Sequence, residues 1–272
     1  ILLFFVPKSP RWLLLKFKEE EAVRVLNKLM GADEAKLECE NIKKSLQQER
    51  SVDTVKVNYF SKAIFTIILI GTALSVLQQF TGINAVLYYG ADIFEKALGF
   101  GKDDILVQQV LLAFVNLVFT FVAMATVDKF GRKPLIYVGS IGMIIGFLLL
   151  GITLQQQSIG VLSLIGVLVF IASFAMSMGP VVWVVLAEMF PNKIRSVAMS
   201  VAVAAQWAAN YVVTQTFPMV TGSEMNNNSF WNGSLPYFIF IGFILIIIFV
   251  TYKFIPETKG KSLEDIEGIW EK

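Results

Sequence analysis

Leu77-Gln78-Gln79-Phe80-Thr81-Gly82-Ile83-Asn84-Ala85-Val86-Leu87-Tyr88-Tyr89 lies inside an apolar run that begins near Phe60. Two adjacent glutamines and an asparagine therefore fall at membrane depth. An amide without partners in hydrocarbon costs several kcal/mol, so such groups face a bundle interior or a wet pathway. At about 100° per residue, an unbroken helix sets Asn84 about 240° around from Gln78. The two converge only if the helix unwinds between them, and Thr81-Gly82 is the expected break. Asn84 and Tyr88 are one turn apart and share a face. A broken span with amides on both sides of the break fits a ligand that is polar and uncharged.

Outward from that stretch, the chain reads as an all-α membrane protein. Hydrophobic residues make up 56% of its 272 positions and mean hydropathy is +0.66, outside the range of ordinary soluble domains. Six spans are expected at about 60–89, 105–127, 134–154, 160–187, 196–219 and 235–255, each long enough for about 30 Å of hydrocarbon. Residues 1–6, Ile1-Leu2-Leu3-Phe4-Phe5-Val6, are apolar but too few to cross, and read as the tail of a preceding transmembrane helix. Pro7-Lys8-Ser9-Pro10-Arg11-Trp12 marks an exit from the membrane. From there to residue 58 the chain is charge-rich. Glu19-Glu20-Glu21 opens one amphipathic helix, Lys28 lies near its end and Gly31 follows as a cap. Ala32-Asp33-Glu34 opens another. These are expected to be surface-lying cytoplasmic linker helices. The expected organisation is thus 1–6, linker 7–58, a six-helix transmembrane domain 59–255 and a cytoplasmic tail 256–272.

Lys and Arg placement sets the expected orientation. With the linker inside, only Lys96 and Lys102 of the 23 basic residues lie outside, leaving 21 inside. The same composition narrows the chemistry. There is no histidine, the commonest general base and metal ligand, and one cysteine, Cys39, so neither metal site nor cofactor is expected. A net charge of +2 gives no footing for a nucleic-acid partner. No nucleophile–base pair or phosphate loop appears, so the chain is not read as an enzyme.

Polar and aromatic residues recur at membrane depth on other spans. Asn116 lies in the second. The fourth carries Gly179-Pro180-Val181-Val182-Trp183, where Pro180 should loosen the helix and Trp183 offers an indole N–H far from the interface. The fifth carries Ala204-Ala205-Gln206-Trp207-Ala208-Ala209-Asn210, with Gln206 and Asn210 on one face. No carboxylate lies deep in any span. Amides and indoles together suit a polyhydroxylated neutral molecule, hydroxyls to amides and C–H faces to rings.

At the cytoplasmic ends, acid accompanies base. Asp128-Lys129-Phe130-Gly131-Arg132-Lys133 follows the second span, and Glu188-Met189-Phe190-Pro191-Asn192-Lys193-Ile194-Arg195 follows the fourth. Pro256-Glu257-Thr258-Lys259-Gly260 follows the last. Ordinary positive-inside decoration explains the lysines, but not the acids. A charged latch between spans, biasing a two-state equilibrium, explains both.

These segments, together with Pro7-Lys8-Ser9-Pro10-Arg11-Trp12-Leu13 and Gln78-Gln79-Phe80-Thr81-Gly82-Ile83-Asn84 with Tyr88-Tyr89, stand in an order that resembles the C-terminal half of a sugar porter of the major facilitator superfamily. The family usually has Glu where Lys8 stands here. The segments around Trp183 and Gln206 look like those of its xylose–proton symporters; hexose facilitators and galactose symporters typically carry Asn at the position of Gln206. The resemblance implies alternating-access transport of a neutral monosaccharide, D-xylose by proton symport first, in a bacterial inner membrane. Passive hexose facilitation and a non-transporting sugar sensor are the alternatives. It implies a sugar pocket lined by Gln78, Gln79, Asn84, Tyr88, Asn116, Trp183, Gln206 and Trp207, and a cytoplasmic gating network of Asp128, Arg132, Glu188, Arg195 and Glu257. The partners it implies are the monosaccharide, an N-terminal six-helix half and the lipid bilayer. Proton-coupling residues would lie in that other half.

Overall fold

The computed structural model describes residues 7–52, 61–90, 92–93, 102–158, 160–191 and 193–260. The N-terminal run 1–6, Lys96 and the tail from 261 onward lie outside them. The chain forms two compact units, Ile1–Asn58 and Tyr59–Lys272.

The first unit holds α1 (Pro10–Leu15), α2 (Glu19–Met30) and α3 (Ala32–Val52). Pro10 opens α1 in its first turn, where a missing N–H leaves no bond unmade. Acidic Glu19, Glu20 and Glu21 start α2 and Lys28 ends it, matching the helix dipole. Leu13, Leu14, Ala22, Leu26, Ala35 and Cys39 close a small apolar core of their own. Lys43 pairs with Glu19 at 2.5 Å across α3 and α2.

The second unit holds α4 (Lys62–Phe80), α5 (Ile83–Tyr88), α6 (Lys102–Phe130), α7 (Arg132–Gln155), α8 (Val161–Ala175), α9 (Met178–Met189), α10 (Arg195–Thr221) and α11 (Leu235–Phe254). Six stretches among the described residues are long and apolar enough to cross a membrane, α4 with α5 forming one and α8 with α9 another. The six expected spans are all present, and the chain is an integral membrane protein.

Helix–helix contact is closest between α7 and α8, and it rests on missing side chains. A Cβ on Gly146 would stand 2.6 Å from the Gly166 carbonyl oxygen and 2.6 Å from the Phe170 nitrogen. Lipid offers no hydrophobic drive for helices to associate, so small residues that bring backbones together supply the packing instead. Beside this seam, Phe147 stacks on Phe170 at 4.0 Å and meets Tyr237 and Phe240 of α11 at 5.6 and 5.7 Å. α10 and α11 both pack on α4, and α11 also packs on α7. α6 is the most exposed span, with Phe114, Leu117, Phe121 and Met124 uncovered.

Because the obstacles at Gly146 are backbone atoms, they cannot swing aside. Gly146→Val is expected to destabilise the protein by about 1–3 kcal/mol, the range for overpacking. The thermal midpoint of the complete protein in detergent measures this, and an unchanged midpoint would contradict the packing described.

Candidate functional site

Two interrupted helices meet in this unit. α4 ends at Phe80, Thr81 caps it, and Gly82 turns the chain with φ +82° before α5 begins at Ile83. That is the break expected at Thr81-Gly82. Glycine is required there twice. The backbone is left-handed, and a Cβ would stand 2.5 Å from the Phe240 ring. The other break falls earlier than Gly179-Pro180. α8 stops at Ala175, Met176-Ser177 form a turn, and α9 restarts at Met178. Pro180 has no N–H for the Met176 carbonyl, so the helix fails upstream of the ring. Pro180 then occupies the first turn of α9, where an N–H would have no intrahelical partner.

Gln78 joins the two breaks. It is 2% exposed, and its Nε2 donates to the Met178 carbonyl at 2.6 Å, with the Gly179 carbonyl at 3.4 Å. Its Oε1 accepts from Gln206 Nε2 at 2.6 Å. One side chain thus ties α4, the start of α9 and the middle of α10. On the far side of Gly82, Asn84 Nδ2 donates to Gln79 Oε1 at 2.7 Å. Asn84 therefore converges on Gln79 and not on Gln78.

What remains unused defines what the site can hold. Among the described residues, Gln79 Nε2 donates to nothing, and Asn84 Oδ1 and Gln206 Oε1 accept from nothing. Two acceptors and an amide donor match hydroxyl groups, which both give and receive. Trp183 and Trp207 stand exposed on α9 and α10, and Tyr88 on α5, as ring surfaces. Asn210, one turn along α10 from Gln206, is buried, and its Oδ1 has no hydrogen-bond partner among the described residues. Asn116 stands apart. Its main-chain and side-chain oxygens face the Thr120 hydroxyl at 2.8 and 3.4 Å on its own helix, and no bond joins it to the other amides.

A second constellation closes the start of α7. Arg132 forms a fork on Glu188, Nη2 to Oε1 at 2.6 Å and Nε to Oε2 at 3.0 Å, linking the start of α7 to the end of α9. Asp128 meets the same Nη2 at 3.0 Å from an exposed position. Thr258 Oγ1 donates to Glu188 Oε2 at 2.5 Å. Among the described residues, Glu257 does not pair with a basic side chain. It accepts the backbone N–H groups of Arg132 and Lys133 at 3.1 and 3.0 Å, capping α7 where the helix dipole favours an anion. Arg195 departs from the expected network. Its Nε donates to the Phe190 carbonyl at 3.1 Å, its Nη2 is buried without a partner, and no carboxylate among the described residues pairs with it. It begins α10, and its guanidinium folds back over the turn before that helix.

Sequence reasoning missed the Met178 and Gly179 carbonyls, since every residue carries a carbonyl and only the break aims these two at Gln78. It also missed the Thr258 hydroxyl, although the segment holding it had been singled out.

A family model described as Sugar (and other) transporter matches residues 1–270. The D-xylose-proton symporter of Escherichia coli (strain K12) is 45% identical over 271 residues, covering 100% of this chain and 54% of that protein. The Glucose facilitated diffusion protein of Zymomonas mobilis is 39% identical over 99% of this chain and 56% of its own length. A solved structure of a major facilitator superfamily proton:xylose symporter bound to 6-bromo-6-deoxy-D-glucose superposes with a TM-score of 0.78 at 44% identity, covering 99% of this chain and 55% of that one. The chain spans about half the length of the relatives it matches.

The cap on α7 titrates. Burial opposes ionisation of Glu257, but N–H donors from Lys259, Arg132, Lys133 and Thr258 outweigh it and hold the carboxyl below its usual range. Its contribution to stability is therefore complete above the unfolded value of about 4.3 and is lost as pH falls through the lower folded value. Glu257→Gln should flatten the acid limb of a melting-temperature profile of the complete protein. An acid limb unchanged from the parent would remove this role from the cap.

Proposed function

The chain belongs to the sugar transporter family, and on that premise we propose that it supplies one six-helix half of a transporter moving a neutral monosaccharide by alternating access. D-xylose carried by proton symport is the first assignment. The observation that carries it is the bridge from Gln206 through Gln78 to the Met178 carbonyl, which leaves neutral amide groups beside two broken helices in mid-span. Transporter sites of this kind lie near the bilayer midplane between two repeats, at discontinuous helices. Gln78, Gln79, Asn84 and Gln206 form the polar side of the cup in this reading, Tyr88, Trp183 and Trp207 its aromatic side, and Asn116 a more distant wall. A second six-helix half completes it.

Each amide has a stated task. Gln79, Asn84 and Gln206 retain groups that hydroxyls can meet, whereas Gln78 has partners at both its nitrogen and its oxygen and holds the two breaks in register. The four amides carry no charge, which favours a neutral ligand. The proton-carrying carboxylate is assigned to the part of the relatives outside this chain. The similarity to a glucose facilitated diffusion protein keeps passive hexose transport as a second reading.

The Arg132–Glu188 fork with Asp128 and the Glu257 cap is read as a state-dependent latch, with Arg195 held ready for a partner outside this half. Linker helices α1–α3 and the segment after α11 are assigned to the cytoplasmic side of a bacterial inner membrane, because 21 of 23 basic residues then lie inside.

Counterflow in proteoliposomes of the complete protein, across a panel of pentoses and hexoses with and without a proton gradient, tests the assignment. D-xylose entry should rise with the gradient, and Gln206→Ala should abolish or severely weaken calorimetric sugar binding. Unchanged affinity in that variant would sink the cup, and gradient-independent glucose exchange would favour the facilitator. Arg132→Ala should alter the transport rate while sparing equilibrium binding. Collapse of binding in a folded Arg132→Ala protein would contradict the latch.

A further inference from the structure

A separate cavity of about 270 Å³ opens at the end of the bundle opposite the Arg132–Glu188 fork. Tyr89 and Asp92 line it just beyond α5, Phe217 near the end of α10, Tyr237 at the start of α11, and Asn227 and Asn232 in the turn between those two helices. None of the cup amides reaches it.

On this wall Asn226 is satisfied, its Nδ2 donating to the Thr221 carbonyl at 3.0 Å and its Oδ1 accepting from the Leu235 N–H at 3.1 Å, but Asn227 and Asn232 are not. Asn227 Nδ2 donates to the carbonyls of Thr221 and Ser223 at 3.2 and 3.0 Å. Asn232 Nδ2 donates to the carbonyls of Gln155 and Ser229 at 2.9 and 3.2 Å. Both amides therefore use their hydrogens to build the turn, and among the described residues both side-chain oxygens accept nothing. Asp92 adds an exposed carboxylate. The Tyr89 hydroxyl is engaged, donating to the Thr214 carbonyl at 2.9 Å. Tyr237 is not. It is 3% exposed, and its hydroxyl makes no hydrogen bond among the described residues. The residue lines the cavity, so that hydroxyl is left to donate into it.

A wall rich in acceptors needs a ligand rich in donors, which leaves polyols and organic ammonium ions. Tyr237 decides between them. Its proton needs an acceptor, which an ammonium lacks and a hydroxyl supplies. The Tyr89 and Phe217 rings, 5.3 Å apart, offer a surface for the C–H face of a sugar ring. The volume lies just below the ~300–1,000 Å³ usual for small-molecule sites, which suits one ring and not a disaccharide. We propose that this cavity is a second saccharide site, binding a single monosaccharide or comparable polyol through Tyr237, Asn227, Asn232 and Asp92, separate from the mid-span cup. Its ligand class rests on the sugar-transporter reading; the cavity and its unmatched acceptors do not.

The test uses the complete transporter without other cysteines, carrying Thr221→Cys as a reporter on the cavity wall, with Gln206→Ala added to silence the cup. D-xylose or D-glucose should slow modification of that cysteine by a small maleimide several-fold and saturably, with or without Gln206→Ala. Tyr237→Phe should remove the protection and Asp92→Asn should weaken it, with melting temperatures kept at the parent's value. Absence of protection by either sugar, protection that vanishes with Gln206→Ala, or stronger protection by choline would each overturn the proposal. If Gln206→Ala keeps its calorimetric affinity, the cup reading fails by itself. The cavity then stands if Tyr237→Phe removes protection without moving that affinity, and falls if the two change together.

Discussion

The Gln78 side chain holds the membrane unit in register. It gives hydrogens to a carbonyl exposed by one helix break, accepts one from Gln206, and sits two residues from the last residue of the helix that breaks next. In a low-dielectric interior, a buried amide with partners at both ends specifies an arrangement, while a half-satisfied one penalises every alternative. The α4 terminus, the α9 start and the middle of α10 are fixed to one another by these bonds. Asn84 and Gln79 then pair across the Gly82 turn, so α5 is tied to α4 by an amide contact where the helical ladder is lost.

The same economy appears at the start of α7. Arg132 uses its fork on Glu188, a single Nη2 contact on Asp128, and its backbone N–H on Glu257. Glu188 also receives the Thr258 hydroxyl. Three segments distant in sequence are thereby gathered on one guanidinium and one helix start. Such a cluster shares its partners, unlike scattered surface pairs of small individual worth.

Packing between these two clusters is carried by surfaces that need no polar group. Gly146 against Gly166 lets α7 and α8 touch along their backbones, and the Phe147, Phe170, Tyr237, Phe240 and Phe217 rings fill the space behind. Phe240 also seats on Gly82, so the break that positions Asn84 is held from outside by the same aromatic layer. Site and core are therefore one construction.

By itself, the sequence determined the six spans, because about 20 apolar residues in a row admit little else. It also determined the break at Thr81-Gly82, since glycine beside membrane-depth amides leaves few other places for a helix to open. Gln78, Gln79, Asn84 and Gln206 were legible from depth alone, because a polar group in hydrocarbon must be explained. The tertiary structure decided the pairing. Asn84 meets Gln79 and not Gln78, the fourth span parts at Met176-Ser177 ahead of its proline, Glu257 caps the start of a helix, and among the described residues Arg195 finds a carbonyl and no acid. Those outcomes depend on distances between elements far apart in the chain, and residue type says which groups need partners without saying which partner lies within about 3 Å.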